Sequence, residues 1–122
     1  MKIACVIPLY DHPGTVLDVV SGARKYLADV RVVDDGSTRL PEDFASRLAA
    51  LRVPLYRHDR NRGKGAALLT AARFLAADGV THMITIDADG QHSPGELPRF
   101  IAAAEAHPQA VIVGCRDRKS VV

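Results

Sequence analysis

Two aspartates with a single residue between them, Asp87 and Asp89, are the residues of this chain best placed to do chemistry. The apolar run over residues 80–86 precedes them and is typical of a buried strand. A helix start follows, because Ser93 is a suitable N-cap and Glu96 stands three residues later, as in a capping box. The two carboxylates are therefore predicted in a strand-to-helix turn, at the edge where open parallel sheets bind ligands.

The chemistry that suits such a turn is cation binding. Two carboxylates on a short turn repel each other, and a cation shared with a ligand relieves that repulsion. Oxygen ligands from only one or two side chains suit Mg²⁺ or Mn²⁺ that is held jointly with a substrate diphosphate. The alternative is a solvated acidic turn in which one carboxylate caps backbone N–H groups. The position of the pair at a strand end, before a capped helix, favours the metal site.

Further polar residues are predicted at the same sheet edge, each group following a strand. The groups are Pro8, Tyr10, Asp11 and His12; Asp34, Asp35 and Ser37; Asn61, Arg62 and Lys64 beside Gly63 and Gly65; and, beyond the aspartate pair, Gln91 and His92. Singly, each residue also suits an ordinary turn or a packed loop. The glycines beside Lys64 do not have the spacing of a Walker motif, yet at a helix start they expose N–H groups to an anion. Together, the aromatic ring, the carboxylates and the cationic loop fit a nucleoside diphosphate with its metal.

The elements that must position these loops are strands that alternate with helices. The apolar patterns predict strands over residues 2–9, 30–33, 53–57, 80–86 and 110–115, and helices over residues 16–27, 41–51, 66–77 and 97–104. This alternation predicts an α/β fold of three layers (α/β/α), with a mainly parallel sheet in the order 3-2-1-4 plus a fifth strand. The third strand is expected at an edge because of Pro54. The helix over residues 66–77 is expected to be deeply buried because it is apolar almost all round. Residues 116–122 show no helix or strand pattern. Three histidines are expected at the surface: His58, His82 and His107.

Length and composition indicate one ordinary globular domain of 122 residues, with 48% apolar and 25% charged residues. The net charge of +2, with basic residues scattered, argues against nucleic acid as a partner. No apolar run approaches the roughly 20 residues of a membrane span, so a cytoplasmic location is predicted. Attachment to the cytoplasmic face of a membrane through segments outside this chain stays open, and so does a homo-oligomer.

Cys5 and Cys115 fall in different apolar strands and are expected to be free thiols.

Four motifs in register carry a resemblance to a known family. They are residues 7–10 (IPLY), 32–37 (VVDDGS), 61–67 (NRGKGAA) and 87–92 (DADGQH). In their order and rough spacing the sequence resembles family 2 glycosyltransferases, and most of all their dolichyl- or polyprenyl-phosphate mannose or glucose synthase branch. The resemblance implies a GT-A-type fold whose N-terminal half binds a nucleotide-sugar, either a UDP-sugar or a GDP-sugar.

The resemblance also implies a role for each matched residue. The residues that would contact the donor or its metal are Pro8 and Tyr10, lining the base pocket; Asp35, hydrogen-bonded to the base; Lys64, near the nucleotide; Asp87, at the ribose or supporting the metal; and Asp89 with Gln91, holding Mg²⁺ or Mn²⁺ on the diphosphate. His12 departs from the pattern, because many relatives carry a carboxylate two residues after the tyrosine. Only Asp11 is left as a weak substitute for that acidic ligand.

The family's reaction is a single displacement that inverts the anomeric centre. A general base must take a proton from the acceptor unless the acceptor is already a phosphate anion. In the family, the acceptor-side carboxylate and a following basic segment lie C-terminal to the region matched here. Residues 1–122 are therefore predicted to be the donor-binding domain of a C-terminally truncated glycosyltransferase, with no catalytic residue beyond the metal-linked Asp89. We expect this chain to bind the nucleotide-sugar and to transfer little by itself; the acceptor is not named by the sequence, although the branch suggests a lipid phosphate.

Three alternatives belong to other classes of protein. A nucleotidyltransferase would share the sheet and the metal carboxylate, but it normally opens with a glycine-rich, basic first loop, unlike residues 8–10. A non-catalytic nucleotide-binding domain would use the same loops without transfer. A phospho-receiver domain would need a lone aspartate after the third strand and a lysine after the fifth, and residues 57–59 and 115–116 provide neither convincingly.

Overall fold

The computed structural model describes residues 2–11, 13–87, 94–106, 108, 112–114 and 119–121. Four parallel strands form the central sheet: β1 (Ile3–Leu9), β2 (Val30–Asp34), β3 (Leu55–Arg57) and β4 (His82–Thr85). Their order is β3-β2-β1-β4, which confirms the predicted order 3-2-1-4. The short strand β3 lies at an edge of this sheet and begins directly after Pro54, a residue that cannot donate to a ladder.

Helices cover both faces of the sheet. They are α1 (Pro13–Ala23), α2 (Phe44–Ala50), α3 (Lys64–Ala77) and α4 (Leu97–Ala106), the last of which follows a 3₁₀ turn at Pro94–Glu96. Successive side chains of a strand point to opposite faces, and β1 shows the result. Cys5 and Ile7 pack into the larger core, which includes side chains of α1, α2 and α4, whereas Ala4 and Val6 pack with side chains of α3. This arrangement is the predicted three-layer α/β/α fold.

The helix α3 is only partly buried, so the deep burial predicted for it is wrong. Its buried residues are Ala67, Ala71 and Leu75, whereas Leu69 is 53% exposed and Phe74 is 48% exposed. A helix that packs on one face of a sheet buries a single stripe of side chains. Most of the remaining apolar positions are alanines, and alanine favours a helix whether or not it is buried.

Two short strands near the C-terminal end form a second sheet. The strand β5 (Ile112–Gly114) lies within the predicted fifth strand, but it pairs antiparallel with β6 (Lys119–Val121). In the part of the chain that the structure describes, neither strand is hydrogen-bonded to the parallel sheet. The sequence pattern missed β6, because a strand of three residues is too short to show an alternation of apolar and polar positions.

Cys5 is a fully buried free thiol, as predicted, and burial raises its pKa to about 12. The thiol is therefore a packing group rather than a nucleophile. Cys115 lies outside the described residues, so its free state stays a prediction. Within the described ranges, no helix combines the length and the apolar character needed to cross a membrane.

The side chains of two of the three histidines expected at the surface are almost wholly covered, which contradicts that prediction. The His58 side chain is 7% exposed, and His82 is 4% exposed. Nδ1 of His82 lies 2.8 Å from Thr81 Oγ1, while its buried Nε2 has no hydrogen-bond partner among the described residues. A single histidine carries no periodic signal, so its burial follows from the packing of neighbouring strands. His107 lies outside the described residues.

Candidate functional site

The carboxyl ends of the parallel strands meet at one edge of the sheet, and the loops that leave them define the candidate site. The first loop comprises residues 10–12, the second residues 35–43, the third residues 58–63 and the fourth residues 86–93. The predicted ligands Asp89 and Gln91 lie outside the described residues, as do His12 and His92. Their roles therefore stay predictions. The remaining residues of the four loops define the part of the site that the structure describes.

Asp11 joins the first loop to the second. Its Oδ1 accepts hydrogen bonds from the backbone N–H groups of Thr38 (2.8 Å) and Arg39 (3.0 Å). Its own N–H donates to Ser37 Oγ at 2.8 Å. The φ angle of Asp11 is 52°, in the left-handed region that aspartate tolerates better than most residues. Asp11 thus braces the second loop, a role that sequence reasoning missed when it considered this residue only as a weak acidic ligand.

Asp34, the last residue of β2, stabilises the start of the second loop. Its Oδ1 accepts a hydrogen bond from the N–H of Ser37 at 3.0 Å, and its Oδ2 accepts one from Arg57 Nε at 3.2 Å. The side chain is only 1% exposed. This carboxylate therefore stabilises the turn over Asp35, Gly36 and Ser37, because aspartate side chains commonly accept from backbone N–H groups in turns.

Asp35 joins the second loop to the third. Its Oδ1 lies 2.8 Å from His58 Nδ1 and accepts a hydrogen bond from the N–H of Arg62 at 2.9 Å. Its Oδ2 accepts hydrogen bonds from Asn61 Nδ2 at 3.0 Å and from the N–H of Gly63 at 2.8 Å. A carboxylate offers about four acceptor positions, so protein donors occupy all of them. A base that is to bind Asp35 must therefore displace one of these donors.

The surroundings of Asp35 favour its ionised form. The residue is 4% exposed, and burial, the largest influence, acts to raise the pKa of its carboxyl. The hydrogen bonds from the Arg62 N–H, from His58 and from the Gly63 N–H together outweigh burial, and the pKa lies below its ordinary value of 3.8. The negative charge is thus held in place by the third loop.

We expect the contacts of Asp35 to make the folded protein less stable in acid. Because the pKa is lower in the folded chain than in the unfolded chain, this contribution is complete above about pH 4 and is lost as the pH falls through the lowered value. Denaturant unfolding of the wild type and of Asp35→Asn from about pH 7 to about pH 2 measures it. The difference in the free energy of unfolding should shrink below about pH 4. A difference that stays constant over this range would contradict the prediction.

His58 links the third loop to α3, and sequence reasoning missed it. Its Nε2 lies 2.7 Å from Thr70 Oγ1, in the second turn of α3, while its Nδ1 faces Asp35. The feature that could have revealed His58 is the register of β2 and β3, in which Asp34 pairs with Arg57. One step further along both strands, Asp35 and His58 are neighbours. The contact between Asp35 and His58 can therefore be predicted only when the register of the two strands is known.

Lys64 and Asp87, both selected from the sequence, are brought together. Lys64 Nζ lies 2.6 Å from Asp87 Oδ1, so the start of α3 is connected to the fourth loop. The Lys64 side chain is 58% exposed and that of Asp87 is 18% exposed. An ion pair this exposed contributes little to stability, so its geometry can change at low cost when an anionic ligand arrives.

Pro8 and Tyr10 lie where β1 leaves the sheet. Pro8 pairs with Val33 of β2, and Tyr10 directly follows the last residue of β1. Tyr10 is 46% exposed, so its ring is not packed into the core. Of its two expected roles, this exposure suits a platform for a planar ligand better than a packed loop aromatic.

Gly36 brings the second loop against the backbone of the third. Its φ angle is +77°, a region that side-chain-bearing residues rarely adopt. A Cβ at this position would lie 2.7 Å from the Cα of Arg60, and closer still to the carbonyl carbon of Arg60 and the nitrogen of Asn61. Only a glycine allows the two loops to approach this closely.

A metal site formed by the protein alone is absent from the described part of the chain. No group of three or more His, Cys, Asp or Glu side chains is placed there to hold a metal ion. Beside the acidic turn, the ammonium group of Lys64 lies against the carboxylate of Asp87.

A parallel α/β sheet with polar loops converging at its carboxyl edge is typical of nucleotide-binding domains. Residues 4–122 match the family model described as Glycosyl transferase family 2. Because this match spans nearly the whole chain, the protein belongs to glycosyltransferase family 2. The family predicted from the four motifs is confirmed, and membership favours a sugar transferase over the nucleotidyltransferase-like and non-catalytic alternatives.

Two curated relatives are named for sugar transfer to a polyprenyl phosphate, the acceptor class of the branch that the motifs resemble. The chain is 26% identical to the UDP-N-acetylglucosamine--dolichyl-phosphate N-acetylglucosaminyltransferase of Methanococcus voltae, over 93% of this chain and 51% of that protein. It is 28% identical to the undecaprenyl-phosphate mannosyltransferase of Micrococcus luteus, over 95% of this chain and 49% of that protein. The chain thus spans about half the length of these relatives.

A solved structure shares the fold. The glucosyl-3-phosphoglycerate synthase of Mycobacterium tuberculosis, in complex with Mn²⁺, UDP and glucosyl-3-phosphoglycerate, matches with a TM-score of 0.62 and 23% sequence identity. The match covers 83% of this chain and 38% of that chain. It confirms the predicted GT-A-type fold.

Proposed function

We propose that this chain binds a nucleotide-diphosphate sugar, either a UDP-sugar or a GDP-sugar, together with Mg²⁺ or Mn²⁺. It is the donor-binding domain of an inverting glycosyltransferase. The observation that carries this proposal is that the polar loops at one sheet edge are fastened to one another. Asp11 connects the first loop to the second, and Asp35 connects the second to the third. The more exposed Lys64–Asp87 pair places the start of α3 beside the fourth loop without fixing it there. Loops held in this way need little further ordering when a ligand binds, which favours affinity.

The donor would lie across these loops. Tyr10 offers an exposed ring to the base, beside Pro8 near the end of β1. Lys64 and the N-terminus of α3 supply positive charge for the diphosphate. Asp87 would contact the ribose or support the metal. Asp35 would reach the base only by exchanging one of its present donors.

The donor atoms at the fourth loop fit a hard divalent cation. Asp87 Oδ1 already lies 2.6 Å from the ammonium group of Lys64, so the site accommodates positive charge beside this carboxylate. Asp89 and Gln91 would add the oxygen ligands that Mg²⁺ and Mn²⁺ prefer. When bound, the metal would neutralise the charge that develops on the diphosphate oxygens as the bond to the sugar breaks.

We assign the acceptor to the polyprenyl phosphates, because the two relatives described above are named for dolichyl phosphate and undecaprenyl phosphate. A phosphate anion needs no general base to remove a proton before it attacks. The residues proposed here all serve the donor, and the chain spans about half the length of those relatives. We therefore expect this chain alone to bind the donor and to transfer little.

Calorimetric titration with UDP, GDP and ADP, each with and without Mn²⁺, tests the proposal. We expect UDP or GDP to bind more tightly than ADP, and Mn²⁺ to strengthen that binding. Lys64→Ala should weaken it by about 1 kcal/mol, the scale of a charge at a helix N-terminus. Lys25→Ala removes the same charge from an exposed turn between α1 and β2. This turn lies at the amino ends of the parallel strands, away from the candidate site, so the substitution should leave binding unchanged. Absence of binding, or equal behaviour of the two variants, would contradict the proposal.

A further inference from the structure

We infer that Asp35, His58 and Thr70 form a hydrogen-bonded relay that positions the third loop for the nucleotide. The inference rests on the proposed function, since it assigns residues that hold the nucleotide-binding loop in place. Oδ1 of Asp35 lies 2.8 Å from His58 Nδ1, and His58 Nε2 lies 2.7 Å from Thr70 Oγ1. His58 and Thr70 are thereby positioning residues, because neither is expected to touch the donor.

The relay fastens the third loop at both of its ends. His58 begins the loop and is held between the second loop and α3. The N–H groups of Arg62 and Gly63, at the other end, donate to the same Asp35 carboxylate at 2.9 Å and 2.8 Å. Lys64 follows directly as the first residue of α3. The backbone that places Lys64 is therefore determined by the relay.

Both ring nitrogens of His58 have hydrogen-bond partners, and these partners determine which nitrogen carries the proton. The side chain is 7% exposed, so water contributes little to its hydrogen bonding. An ionised Asp35 can only accept, so Nδ1 of His58 carries a proton. Nε2 of the neutral ring then accepts the hydroxyl proton of Thr70. Without the hydroxyl, Nε2 would be left buried and unpaired, and the ring would lose its fixed orientation.

The order carboxylate, imidazole, hydroxyl is also that of a catalytic triad, but a nucleophilic role for Thr70 does not fit. Thr70 lies within α3, where the neighbouring backbone N–H groups donate to carbonyls one turn earlier. They are therefore not available to stabilise an oxyanion, as a triad requires. Asp35 also has three donors besides His58, which ties it to the loop rather than to the imidazole alone.

The matched pair Thr70→Val and Thr70→Ser tests the relay. Valine keeps the shape of the side chain and a similar helix propensity but lacks the hydroxyl, whereas serine retains it. We expect Thr70→Val to bind the preferred nucleoside diphosphate about fivefold to tenfold more weakly, the scale of one hydrogen bond, and Thr70→Ser to restore most of the affinity. Equal affinity of Thr70→Val and the wild type, with the nucleotide bound by both, would overturn the inference and leave the proposed function standing.

A nuclear magnetic resonance measurement separates failure of the relay from failure of the proposed function. The ¹⁵N spectrum of the ligand-free protein should show the His58 proton on Nδ1 in the wild type and in Thr70→Ser. Amide shifts of residues 58–63 should change in Thr70→Val but not in Thr70→Ser. If the wild type bound no nucleotide, the proposed function would fail, and the spectra would still decide the relay. A neutral His58 with its proton on Nε2 would overturn it.

Discussion

Replacing Gly36 by alanine is expected to abolish nucleotide binding and to destabilise the domain by about 2–5 kcal/mol. The φ angle of +77° costs a residue with a side chain roughly 1–2 kcal/mol. The added methyl group would also overlap the backbone of Arg60 and Asn61, which cannot rotate away as a flexible side chain would. The third loop must therefore move, and its contacts with Asp35 would be lost. Denaturant unfolding and calorimetric nucleotide titration measure the two effects.

Gly79→Ala is the matched control for this substitution. Gly79 has a φ angle of +78°, nearly that of Gly36, but a Cβ there would meet nothing within 4 Å. The control therefore incurs the backbone strain without the collision, and we expect a loss of roughly 1–2 kcal/mol with nucleotide affinity unchanged. If the two variants lost the same stability and both kept nucleotide binding, the close approach of the second and third loops would have no functional consequence.

Asp89→Asn is expected to remove most of the gain in nucleoside diphosphate affinity that Mn²⁺ or Mg²⁺ provides, a gain on the order of 1–3 kcal/mol. A cation shared between Asp89 and the diphosphate makes the binding of each depend on the other. The amide keeps the size of the side chain but lacks the charge that a hard cation prefers. Calorimetry with and without metal measures this coupling, and thermal unfolding shows whether the fold is intact.

Two further variants show whether the metal effect is specific to Asp89. Asp35→Ala should weaken nucleotide binding to the same extent with and without metal, because Asp35 acts on the third loop or on the base. Asp18→Asn removes a charge from the exposed side of α1 and should leave both binding and metal dependence unchanged. If Asp89→Asn kept full metal-dependent binding, the turn after β4 would be a solvated loop and the proposed metal site would be wrong.

The strand order and the location of the site were predictable because both follow from local patterns. Apolar runs alternate with helical spacings along the chain, and right-handed crossovers then leave few possible sheets. The carboxyl ends of parallel strands meet at one edge, so Asp35, Lys64 and Asp87 could be assigned to one site before their contacts were known. The four motifs added the family, which the match over residues 4–122 confirms.

The contacts that organise the site were decided only by the tertiary structure. The resemblance implies that Asp35 binds a base, and this role stays a prediction. The sequence predicts that His58 is a surface residue, whereas the register of β2 on β3 places its side chain 2.8 Å from that of Asp35, with only 7% of the His58 side chain exposed. The burial of α3 was likewise overestimated, because apolar composition does not reveal whether a second layer covers a helix. The spacing of apolar residues indicates which secondary structure a segment prefers. Register, layer coverage and the pairing of residues more than twenty positions apart depend on the packed chain as a whole.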